Sequence, residues 1–125
     1  MKTKTLLIVL LAFSLVLSAC GAKSDLTANR EKWDNQKITH YRFNPTISCF
    51  CAFRSTPVSV EVKDGQIVSM VDSQGKPIDE SFRTTFEQAG TIEALFAVAE
   101  ENLANADKVD IVYDSTYGFP SDIVV

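Results

Sequence analysis

The sequence predicts an α+β domain: an antiparallel sheet of about five strands with two helices, in the order α-β-β-β-α-β-β. Three observations predict it. Val58, Val60 and Val62 alternate with Ser59, Glu61 and Lys63, Asp64-Gly65 follows, and Ile67 to Val71 resumes the pattern. A two-residue Asp-Gly loop between such runs is a hairpin signal, because primed turns need positive φ at their central residues. Ile92, Leu95, Phe96, Ala99 and Leu103 recur at i, i+3, i+4, i+7 and i+11, a helical stripe that must bury against another element. Cys20 to Val125 spans 106 residues with no internal repeat or low-complexity tract, which is one domain with one core.

The elements follow in order. Leu26 to Lys37 is polar and free of breakers, a helix with one large anchor, Trp33. From His40 to Phe53 the period becomes two, with Tyr41, Phe43, Ile47, Cys49, Cys51 and Phe53 on one face. Pro45 interrupts that run, which makes it an edge strand or two short strands joined at a bulge. The next pair of strands forms the hairpin, in a register that pairs Val62 with Ile67, Val60 with Ser69 and Val58 with Val71. Ser73 to Gly90 reads as polar and irregular, with a turn at Gln74-Gly75-Lys76-Pro77. Thr91 to Ala104 is the second helix, Thr91 its N-cap and Glu93 in its first turn. Val109, Ile111 and Tyr113 recur at every second position, Tyr117-Gly118-Phe119-Pro120 turns the chain, and Ile123 to Val125 starts the last strand. The sequence stops inside that strand: either it is a short edge or the chain runs on past Val125.

The first nineteen residues read as a leader. Lys2 and Lys4 form a positive n-region, and Leu6 to Leu17 is an apolar run broken only by Ser14. As a helix that run spans roughly 18 Å, short of a bilayer core of about 30 Å. Leu17-Ser18-Ala19-Cys20 then resembles the lipobox of bacterial lipoproteins, which implies cleavage after Ala19 and lipidation of Cys20. The expected organisation is a signal peptide over 1–19, a lipidated cysteine and tether over 20–25, and the α+β domain over 26–125. Two or more acyl chains anchor stably where one is marginal, each buried CH₂ contributing about 0.8 kcal/mol. Gly21 stands where an aspartate would suggest inner-membrane retention. The expected location is therefore the outer membrane of a host with two membranes, otherwise the outer face of the cell membrane.

Without Lys2 and Lys4 the chain keeps ten basic and sixteen acidic side chains, a net charge of −6. That balance disfavours nucleic acid and anionic headgroups as partners. No Gly-rich phosphate loop is present and no cofactor is implied.

With Cys20 acylated, Cys49 and Cys51 remain as a pair in a disulfide-permissive compartment. On a regular strand their Cα atoms would lie about 6.6 Å apart with parallel Cβ vectors, so a disulfide needs a bulge or turn at Phe50. Three readings stay open: a local disulfide, two thiols packed as small hydrophobes, or a two-thiolate site for Cu(I). Zinc fits poorly, because it wants four ligands and His40 is the only imidazole. His40 reads as an exposed or capping residue, and with Asp114 and Ser121 far along the chain no hydrolase triad can be built from sequence. Asp110, Asp114 and Asp122 gather around a turn but fail the EF-hand spacing, which leaves solvated acids as the ordinary reading. Tyr117 and Phe119 flank Gly118; such an aromatic turn closes over the core or stays exposed as a contact surface.

Trp33, "HYRF" at 40–43, "CFC" at 49–51, "VSVEVKDGQIVSM" at 58–70, "TIEALF" at 91–96 and "YDSTYGFPSDIVV" at 113–125 together resemble a family of uncharacterised bacterial lipoproteins known only as a domain of unknown function. The more specific parts are the C-x-C strand and the Y-D-x-x-Y-G-[FY]-P turn. Relatives in that family often continue with another strand, and the resemblance implies no activity or ligand. The function expected is a non-enzymatic, membrane-anchored envelope lipoprotein that binds another envelope component or serves as an accessory module. The alternative is a thiol-redox or Cu(I)-handling protein using Cys49 and Cys51.

Overall fold

The computed structural model describes residues 21–46 and 57–125. They form helix α1 over 21–35, strands β1 (His40–Phe43), β2 (Val58–Lys63) and β3 (Gln66–Asp72), helices α2 (Glu80–Glu87) and α3 (Ile92–Asn105), and strands β4 (Asp110–Tyr113) and β5 (Pro120–Val124). The class is α+β in a single small domain, but among the described residues the strands divide into two antiparallel sheets, β1-β2-β3 and β4-β5, and there are three helices rather than two. One reason the sheets stay separate lies at the edge of β3. After Asp72 the chain reverses, Gly75 sits at φ +78°, and Pro77 bridges back to Val71. Asp72 N donates to Lys76 O and Ile78 N to Met70 O, so that edge is taken, and a proline offers no donor to a further strand.

The segment expected to be a tether, 21–25, is helical and runs unbroken into α1. The helix docks through Leu26 and Trp33, seven positions apart and both buried. It ends where Lys37 takes the left-handed conformation, φ +52°, without a glycine.

In the β2–β3 hairpin Asp64 and Gly65 both have positive φ, +51° and +75°, as the turn requires. Val62 faces Ile67 as expected, but a bulge on β3 skips Val68, so Glu61 faces Ser69, Val60 faces Met70 and Val58 faces Asp72. The inserted residue reverses the parity of β3. Met70 therefore enters the core in place of Ser69, and Val68 is left 57% exposed. A second bulge in β5 skips Ser121, whose hydroxyl donates to Val112 O at 3.1 Å.

Helix α2 lies inside the stretch expected to be irregular. Asp79 caps it, accepting from Ser81 N at 2.9 Å, and Ile78, Phe82 and Phe86 line one face at intervals of four. Thr91 caps α3 as expected, accepting from Ala94 N at 3.0 Å.

Two apolar clusters result. Leu26, Trp33, Ile92, Phe96 and Ala99 join α1 and α3 to β4–β5; Val58, Val60, Val62, Met70 and Phe86 join the three-stranded sheet to α2. Tyr41 packs against both.

Candidate functional site

Residues 113–120 carry the most distinctive pattern of the described chain, and their structure begins at Asp114. Its Oδ1 accepts from Thr116 N at 2.9 Å and Tyr117 N at 2.7 Å. Its backbone closes the turn: Asp114 N donates to Phe119 O and Asp114 O accepts from Gly118 N. Gly118 then adopts φ +86°, and a Cβ there would lie 2.6 Å from Asn29 O of α1. Only glycine allows that approach.

Helix α1 grips the same turn with side chains. Lys32 Nζ donates to Ser115 O at 2.5 Å, and Gln36 Nε2 donates to Thr116 O at 3.3 Å and Tyr117 O at 3.2 Å. Asn29, Lys32 and Trp33 recur at i, i+3 and i+4, and Gln36 follows in the turn that ends the helix, so one face of α1 and its C-terminal end meet the turn. The two aromatic residues separate. Phe119 packs edge-on against Trp33 at 6.1 Å in the core, whereas Tyr117 stands 43% exposed. Tyr117 is thus the exposed aromatic side chain of this turn.

A polar bridge underlies the turn. Glu93 accepts from Trp33 Nε1 at 3.3 Å and from the Tyr41 hydroxyl at 3.2 Å, while that hydroxyl accepts from Ile92 N at 2.9 Å. One carboxylate at the start of α3 thereby ties α1 to β1. Burial pushes Tyr41 up to about 12, the Ile92 N–H opposing the shift and the Glu93 charge adding to it. Tyr113 also rises, through burial first and the Asp25 charge second, and its buried hydroxyl has no hydrogen-bond partner among the described residues.

The outer face of the three-stranded sheet carries a small ion cluster. Arg42 Nη2 and His40 Nε2 each lie 2.7 Å from Glu61, and these hydrogen bonds, Arg42's first, hold its carboxyl below the usual carboxylate range. His40 is exposed and serves this cross-strand contact.

The acidic trio does not converge. Asp114 is occupied with its own turn, Asp110 pairs with Lys108 at 2.9 Å, and Asp122 faces Val112 across β4–β5. Among the described residues no group of three or more His, Cys, Asp or Glu side chains is placed to hold a metal. Cys20, Cys49 and Cys51 lie outside the described residues.

Several of these residues escape sequence reasoning. The amphipathic period does not show that Lys32 and Gln36 face a turn some eighty positions away, or that Glu93 bridges two aromatic donors. The glycine inside an aromatic turn is the one signal that hinted at a close approach.

These features define a small α+β domain whose aromatic turn is fastened to its first helix. The chain belongs to a family of unknown function (DUF6174), which it matches over residues 25–125. No curated protein and no solved structure matches it.

Proposed function

We propose that this chain is a membrane-anchored envelope lipoprotein, whose domain acts without catalysis as a binding or accessory module for another envelope component. One observation carries the reading: a basic n-region, an apolar run too short to span a bilayer, and Leu17-Ser18-Ala19-Cys20 stand in lipoprotein order. Exposed Tyr117, on a turn held rigid from beneath, supports a contact role on the domain side.

Mass spectrometry of the full chain expressed in a bacterium tests the anchor. The expected product starts at Cys20 and carries diacylglyceryl and acyl mass, and Cys20→Ala releases the protein from membranes. An unmodified chain with its leader intact, found in the cytosol, overturns the reading. Photo-crosslinking from position 117 in intact envelopes tests the contact role: a reproducible adduct supports it, and none argues against it.

Cys49 and Cys51 sustain a second reading, thiol-redox or Cu(I) handling. They lie outside the described residues and stand one residue apart in the sequence, and paired thiolates suit a soft ion such as Cu(I). Thiol titration and Cu(I) competition before and after Cys49→Ser decide it, and unreactive thiols with no metal uptake remove it.

A further inference from the structure

The residue next to Cys20 is already helical, and α1 continues without interruption to 35. At about 1.5 Å per residue that is a rod of roughly 21 Å. Buried Leu26 and Trp33 fix it to the core, and the Gly118–Asn29 approach and the Lys32 and Gln36 hydrogen bonds fix it to the β4–β5 turn. A domain on a loose tether tumbles freely above a membrane; one held by a helix that already includes the residue after the anchor does not.

The contacts along α1 give the domain two ends. Arg30 pairs with Glu100 and Trp33 with Glu93, so α3 runs antiparallel to α1 and its C-terminal end lies beside the start of α1. Lys32 reaches Ser115 and Gln36 reaches Tyr117, so the turn that follows β4 lies beside the C-terminal half of α1. Asp110, at the beginning of β4, pairs with Val124. Gly21, the α3–β4 connection with Lys108, and Val124 therefore share one pole, and Tyr117 occupies the other. At this pole Lys23 and Lys108 stand among the exposed Asp25, Asp107 and Asp110, with Lys108 paired to Asp110, so its charge does not draw it to an anionic surface; the anchor beside Gly21 is what sets this end against the lipid.

We propose that α1 is a strut holding the domain in one orientation, with the pole formed by Gly21, Lys108 and Val124 against a lipid surface and the Tyr117 turn displayed on the far side. This rests on the lipidation of Cys20.

The test uses the full lipidated chain in vesicles of phosphatidylethanolamine and phosphatidylglycerol that carry a headgroup quencher. A fluorescent amino acid is introduced by codon suppression in place of either Lys108 or Tyr117. The expected result is strong loss of emission at 108 and little at 117. Inserting a six-residue Gly-Ser segment after Gly21, upstream of the first buried residue, should make the two losses equal while the protein still floats with the vesicles. Equal quenching in the uninterrupted chain overturns the strut and leaves the anchor standing. A difference that survives the insertion also overturns it, because the pole then adheres unaided. A chain of unmodified mass that does not float overturns the lipidation reading, and the strut with it.

Discussion

Gly118 has no room for a methyl group: its ideal Cβ would sit 2.6 Å from a backbone oxygen of α1, and its φ is +86°. Gly118→Ala should lower stability by about 1–3 kcal/mol through backbone strain and the clash together, read from chemical denaturation. At Tyr41 one hydroxyl accepts from the Ile92 amide and donates to Glu93. Tyr41→Phe removes the acceptor and strands that amide, which should cost about 1–3 kcal/mol. The pH dependence comes from the raised value of about 12 against an ordinary 10. Between those limits folded Tyr41 keeps a proton that the unfolded chain has lost. The contribution is complete below about pH 10 and disappears as pH climbs through about 12. The stability difference between wild type and Tyr41→Phe should narrow over that window, and a late tyrosinate absorbance step should be missing from the variant.

Strand β3 shows where periodicity succeeds and where it fails. Val58, Val60 and Val62 face inward as their alternation implies, and Asp64-Gly65 sets the turn. The bulge at Val68 then exchanges the faces of the rest of the strand, and a pattern as short as Ser69-Met70-Val71 cannot announce it. Met70→Ala should therefore cost about 2–5 kcal/mol. Val68→Thr should change stability by less than about 0.5 kcal/mol in denaturant titrations. The unbulged register predicts the opposite, with position 70 tolerant. Helix α2 was legible in principle, since Asp79, Glu80 and the Ile78-Phe82-Phe86 spacing are helix signals. Only eight residues long and flanked by turn-forming stretches, it offers too few periods to stand out. α3, with fourteen residues and an unbroken stripe, could be read directly.

For the whole molecule, α+β class comes from element types, whereas the split into two sheets depends on which edges meet, and Pro77 and its neighbours close one of those edges by folding back over β3. The grip of α1 on the β4–β5 turn is likewise a long-range fact, joining Lys32 to Ser115 across 83 positions. Tyr41 belongs to both apolar clusters, so they should unfold together. Trp33 is the single tryptophan and reports the α1–α3 side, and the Met70 methyl reports the sheet–α2 side. Fluorescence and methyl NMR should give coincident denaturation midpoints; separate midpoints would mean two independent halves.

The turn that bears Tyr117 is secured by its own aspartate from within and by Lys32 and Gln36 from below. Its shape is therefore settled before any encounter. A molecule that meets this tyrosine loses little free energy to ordering the backbone beneath it, and must itself supply whatever adaptation the fit demands.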